Sequence, residues 1–414
     1  MKTLAKYLFE NIFNKTADIL EGGASGHMAH PIDFSFFTAE DLKELIHDIF
    51  TGKIEDITEK IDGTNIQATM NQSGEVVFIR NQGDLNSEKG GMSIEDMAEK
   101  WKSNPSVAET FITAGKTIEK VFRKIGKEFF NPDPTTRIVA NCECVLAGVT
   151  NIMPYASAQV DFHDLWIYKM MNGRWAVENV TKKDLDKIER ACEGIDSAKI
   201  TPKVIIEITE QSNSMAEKYC DMIDKLFKDD ELSIDTWKFE QYLKYIKKDY
   251  QWILSNEDGI KILYNRWFNG DKSTNLRLLK QMYPDYINEL NDMDKKGYKE
   301  LMSDVIEPLD TIFLKLGNDV IRLCSGLING SRNDSVIKRL QNDIKVVTKD
   351  IKETGSEDAQ KKLIKQLKRL ERLGGDQSIN SAEGIVFRYK GKLMKLTGSF
   401  ASVNQILGSI KFGR

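Results

Sequence analysis

Cysteine is scarce and poorly spaced for structural work. The 414 residues hold five, Cys142, Cys144, Cys192, Cys220 and Cys324, with no C-x-x-C pair. A zinc knuckle and a disulfide scaffold are therefore not expected, and a reducing cytoplasm fits. Long apolar runs are also missing, which argues against a membrane-spanning helix. The opening Met1 to Glu10 carries an acid where a secretory core stays apolar, so it reads as a first amphipathic helix. Charge of either sign is not in large excess: 59 Lys+Arg against 63 Asp+Glu give a net −4. That argues against a protein that coats nucleic acid indiscriminately but leaves room for a local basic groove. No internal repeat or low-complexity tract is present.

What is present is a mixed globular chain, 29% charged and 41% hydrophobic, long enough for two or three domains. From 51 to 210 short alternating runs read as strands: Asn65 to Met70, a turn at Asn71-Gln72-Ser73-Gly74, Glu75 to Arg80, Arg137 to Leu146 and Gln159 to Met170. From 211 to 375 the period becomes helical, over Trp237 to Leu254, Asp285 to Leu316 and Ser335 to Leu373. Pro284 suits a helix start, and Pro308 reads as a break or kink. After Gly374-Gly375-Asp376 strands resume at Glu383 to Tyr389 and Lys392 to Thr397 around a Lys390-Gly391 turn. The expected division is thus an N-terminal segment 1–50, a β-rich part 51–210, a helical insertion 211–375 and a second β-rich part 376–414.

Within this frame Lys60-Ile61-Asp62-Gly63 carries the most chemical information. A neutral lysine amine can attack a phosphorus and hold the transferred group as a phosphoramidate. Its reference pKa of about 10.4 must be overcome by cations, a metal or desolvation. Gly63 would let backbone approach phosphates. Alone, Asp-Gly is also a common surface turn. The downstream residues Arg80, Glu143, Glu383 and Lys395 give the motif its weight.

Together these segments resemble the motifs of an ATP-dependent polynucleotide ligase of the RNA-ligase type found in large bacteriophages, a covalent nucleotidyltransferase. Glu59-Lys60-Ile61-Asp62-Gly63-Thr64-Asn65 is similar to motif I, with Lys60 as the adenylylated nucleophile and Glu59, Asp62 and Gly63 beside the nucleotide. Arg80 falls where the family has an arginine on the ribose or substrate phosphate. Glu143, in Ile138 to Val145, resembles the ribose-binding carboxylate of motif III. In Asp161-Phe162-His163-Asp164-Leu165-Trp166, Phe162 is taken as the aromatic over adenine. Glu383 in Ala382-Glu383-Gly384-Ile385-Val386 matches motif IV and would serve the metal, Mg²⁺ with Mn²⁺ as an alternative. Lys395 resembles the motif V lysine at the α-phosphate, and Lys392 is a second nucleotide-binding candidate. Three apart on a strand, those two lysines face opposite sides, so only one reaches the nucleotide; family spacing favours Lys395. Leu393 stands where a K-x-K pattern has its first lysine.

The resemblance implies an α+β fold, an antiparallel-sheet nucleotidyltransferase (adenylation) domain interrupted by a large helical insertion. It also implies self-adenylylation from ATP, AMP transfer to a 5′-phosphate and sealing to a 3′-hydroxyl. RNA ends or nicks would be the nucleic-acid partner, in the host cytoplasm if the chain is phage-encoded. Cations and a carboxylate-held Mg²⁺ suit charge building on the phosphates. Glu143 and Glu383 stand out because acids are depleted inside strands. The chain departs from the pattern twice. About 240 residues separate Glu143 from Glu383, more than many whole domains. Fewer than about 20 follow Lys395, too few for a C-terminal OB-fold barrel of roughly 70 residues. The inserted helices, or the glycine-rich Glu21 to His30 segment, would then bind substrate in its place. Lys361 to Arg372 places Leu363, Leu367 and Leu370 on one face and reads as a solvated basic helix that could also grip RNA. His27 and His30 read as loop residues, not metal ligands. Two alternatives stay open: a GTP-dependent capping-type guanylyltransferase, and an inactive nucleotide-binding scaffold that recruits a repair or replication partner.

Overall fold

The computed structural model describes residues 28–80, 82–146, 158–267, 272–327, 346, 361, 363 and 382–398. The helix expected at Met1 to Glu10, His27, most of the 335–373 stretch with its basic run, and the Gly374-Gly375-Asp376 breaker lie outside these residues. The chain is mixed α+β with antiparallel sheets. Among the described residues no helix is long and apolar enough to cross a membrane. The described residues fall into two compact units, one of residues 30–53 and 208–316, the other of 28–29, 54–207 and 317–398.

The first unit is helical. Helix Ala39–Phe50 starts at Thr38, which exchanges capping hydrogen bonds with Asp41. Its buried Leu42, Leu45, Ile46 and Ile49 recur at helical spacing, and Phe50 stacks on Tyr219 of helix Glu210–Leu226 at 6.2 Å. Helices Ile234–Asp249, Glu257–Trp267, Lys272–Met282 and Ile287–Glu300 follow. Pro308 does not break the chain's helical path. A π turn at Leu301–Ile306 runs directly into helix Glu307–Arg322, and this wider turn takes up the proline, whose ring and missing N–H an unbroken α ladder accommodates poorly.

The second unit carries the strands β1 (Glu55–Lys60), β2 (Thr64–Met70), β3 (Val76–Ile79), β4 (Thr136–Val145), β5 (Gln159–Met171), β6 (Arg174–Thr181), β7 (Ala198–Ile200), β8 (Ile205–Ile206), β9 (Cys324–Ser325), β10 (Gly384–Tyr389) and β11 (Lys392–Thr397). One sheet has the order β1-β10-β11, a larger one β3-β2-β4-β5-β6 with β7 parallel to β5, and β8 pairs with β9. Strand alternation divides β4: Ala140, Cys142 and Cys144 face a core with Ile118 and Phe122 of helix Pro105–Ile125, whereas Val139 packs with Trp166, Tyr168 and Trp175 on the other side. That helix lies in the stretch read as sheet-rich. Asn104 at its cap and Pro105 at its first turn mark its start.

Candidate active site

Lys60 ends β1 and Thr64 begins β2, so Lys60-Ile61-Asp62-Gly63 is the crossing from the small sheet to the large one. Gly63 is required there by packing. A Cβ on it would stand 2.7 Å from the Cys144 carbonyl oxygen and 2.9 Å from Glu143 Cγ. The glycine therefore lets the motif lie against β4, beside Glu143. Lys60 pairs with Gly384 in the β1–β10 ladder, which brings the preceding residue, Glu383, to the lysine. Lys60 Nζ donates to Glu383 Oε2 at 2.5 Å across 323 residues of sequence.

A cavity of about 220 Å³ opens beside this pair, lined by residues that include Glu59, Lys60, Glu143 and Lys395. Val386 and Leu393 lie on its wall. Register explains the polar floor. Asn65 pairs with Glu143 and Glu143 with Asp161; Gln67 pairs with Asn141 and Asn141 with Asp164, so two polar rows cross one face of the sheet. Asn65 Nδ2 donates to Asn141 Oδ1 at 2.9 Å and Glu143 Oε2 at 3.4 Å.

The carboxyls share a poorly hydrated setting. Burial pushes Glu143 up to about 8, against the pull of Lys60 and the Asn65 hydrogen bond, with Glu383 and Asp62 adding to the rise. Burial also raises Glu383, opposed chiefly by Lys60. Asp161 and Asp164 are each pushed up to about 6, again by burial. His163 is pushed down to about 4 by burial, helped by Lys182 and Lys60, so its ring is neutral at pH 7.

Several expected site residues lie elsewhere. Phe162 is fully buried in the opposite core, 6.3 Å from the Phe122 ring, and cannot stack on a ligand in the cavity. The reason is a bulge: Asn141 pairs with Asp164 and Cys142 with Phe162, so His163 is an extra residue that resets the alternation. His163 and Asp164 consequently line the cavity. Lys392 pairs with Tyr389 on the face of β11 away from Lys395, while Leu393 and Lys395 face the cavity. Arg80 does not line the cavity. Its guanidinium donates to the Asn65 carbonyl and sits 5.5 Å over the Phe111 ring, supporting β2 from behind. Asp62 is also off the lining, although its charge reaches Glu143 and Glu383.

Lys182 was invisible to motif reading. It follows β6, donates to the Asp56 carbonyl oxygen at 3.0 Å and contributes a third cation to the lining, beside Lys60 and Lys395, where Leu393 cannot. Burial lowers its pKa. No group of three His, Cys, Asp or Glu among the described residues forms a metal cage. Mg²⁺ does not require one, because one or two carboxylates with substrate phosphates and waters suffice. Glu383, with Glu143 nearby, fits that use. Comparison with known proteins finds no matching family model, no matching curated protein and no matching solved structure.

Proposed function

We propose that the protein is an ATP-dependent polynucleotide ligase that joins RNA ends or nicks through a lysyl-AMP intermediate. The observation that carries this reading is the gathering of Lys60, Glu143 and Lys395 around one cavity, with Glu383 bonded to the lysine. Lys60 passes its ammonium proton to Glu383 and attacks the α-phosphorus of ATP; the N–P bond forms and the bond to pyrophosphate breaks. A 5′-phosphate oxygen then attacks the same phosphorus, the N–P bond breaks and Lys60 leaves as the amine, taking its proton back from Glu383. Finally the 3′-hydroxyl oxygen attacks the activated 5′-phosphate, AMP departs and the hydroxyl proton is lost to solvent. Lys395 and Lys182 offset charge on the phosphates, Glu143 receives the ribose hydroxyls, and the neutral His163 ring offers a face to the base. Mg²⁺, when held by Glu383, supplies further neutralisation of the phosphate oxygens.

The test is incubation with α-labelled ATP and Mg²⁺ without polynucleotide, followed by a denaturing gel. Label that survives denaturation and is lost in Lys60→Ala supports the reading. Label from GTP alone would favour capping chemistry. Absence of label from either nucleotide, once pre-adenylylated protein is excluded by mass spectrometry, would favour the scaffold.

A further inference from the structure

Arg137 has no part in that chemistry, yet it sits on the same face of β4 as Asn141 and Glu143. Six residues at ~3.3 Å each separate it from Glu143, or roughly 20 Å. Trp166 and Tyr168 fill the face between them. Around Arg137 lies a second, larger cavity of about 580 Å³, walled by the β2–β3 turn, the 86–90 loop and Trp175.

The arginine is 5% exposed. Its guanidinium lies 4.8 Å over the Trp175 ring, and Nη1 donates to the Gly90 carbonyl at 3.3 Å. No carboxylate among the described residues forms an ion pair with it, and Nε has no hydrogen-bond partner. A guanidinium keeps its charge at any physiological pH, so this is a desolvated cation lacking a counter-charge. The loop is shaped to it: Gly90 has φ +68°, and a Cβ there would stand 2.5 Å from Nη1. Two acids share the wall. Glu75 is engaged by Asn71 Nδ2 at 3.0 Å and Ser73 Oγ at 3.1 Å, and Glu88 is exposed. Lys89 adds a second cation on the rim, its side chain 71% exposed and its Nζ paired at 3.3 Å with the part-exposed Asp96.

We infer that Arg137 binds a backbone phosphate of the polynucleotide, about six nucleotides from the reacting end at ~3.4 Å per nucleotide. The planar fork suits a phosphate, and Trp175 holds that fork in place. The register along the strand rests on the ligase reading; the anion site itself does not.

The experiment measures anisotropy of labelled 5′-phosphorylated RNA of about four and about twenty nucleotides, lengths that fall short of and exceed the ~20 Å span. Arg137→Gln is expected to raise Kd for the longer RNA about ten-fold, lower its salt slope by about one and leave the shorter RNA unaffected. Equal affinity of wild type and variant for the longer RNA overturns the inference, and so does an equal loss at both lengths, which a purely structural role would give. If thermal melting shows Arg137→Gln unfolded, Lys89→Glu on the exposed rim replaces it: selective loss for the longer RNA supports the site, and no change overturns it. Wild type that binds the longer RNA in this Arg137-dependent way but takes no label from ATP keeps the site and sinks the ligase reading. Labelling without an Arg137 effect does the reverse.

Discussion

Glu143→Gln should change how stability depends on pH in the ligand-free protein. Glu143 rises from its ordinary 4.5 to about 8 in the fold. The neutral form is favoured in the folded state, so the unfolded chain releases its proton first as pH rises. Stability from this group is complete below about pH 4.5, declines up to about pH 8 and is flat beyond. At about 1.4 kcal/mol per pKa unit the ceiling is near 5 kcal/mol. Glu143 retains some surface toward the cavity, and Lys60 can follow its charge, so about 2–3 kcal/mol is the working figure. Glutamine keeps the shape but cannot ionise. Urea unfolding at intervals from pH 5 to pH 8.5 should show Glu143→Gln close to wild type at the acid end and about 2–3 kcal/mol more stable at the alkaline end. Parallel pH profiles for the two proteins would refute a desolvated, mostly neutral Glu143.

Lys182→Gln should slow self-adenylylation about 10²-fold with little change in melting temperature, since it removes a preorganised cation at the phosphates; an unaltered single-turnover rate would remove Lys182 from the site. Phe162→Ala should cost about 3–4 kcal/mol in urea unfolding and spare nucleotide affinity per folded molecule, whereas His163→Ala should weaken nucleotide binding and cost less stability. The reverse pattern in calorimetric binding would return Phe162 to the base. Gly63→Ala should destabilise by about 2 kcal/mol or more, because its Cβ has no room against β4; wild-type stability in the same unfolding assay would mean the motif does not lie where described.

Much of the site could be read from particular residues before folding. Alternation and turn residues placed β2, β4, β5, β10 and β11 within a residue or two, and the strand rule that separated Lys392 from Lys395 agrees with their opposite faces. Glu143 was informative because acids are depleted inside strands, and it stands within β4. Helix Pro105–Ile125 interrupts the sheet-rich stretch, and its only local announcement is the Asn104-Pro105 cap, a weaker signal than the alternation of the strands on either side.

Local period and residue chemistry are enough to mark out strand segments and their turns and to nominate Lys60, Glu143 and Glu383 as candidates. Which side chains meet is settled by the assembled fold. One extra residue at His163 reverses the face of everything before it on β5, a displacement no period-two pattern can locate without the partner strand. Lys182 and Arg137 acquire their roles from neighbours distant in sequence. The closeness of Gly63 to β4 is likewise set by the pairing of β2 with β4, two strands far apart in sequence, which no stretch of chain encodes alone.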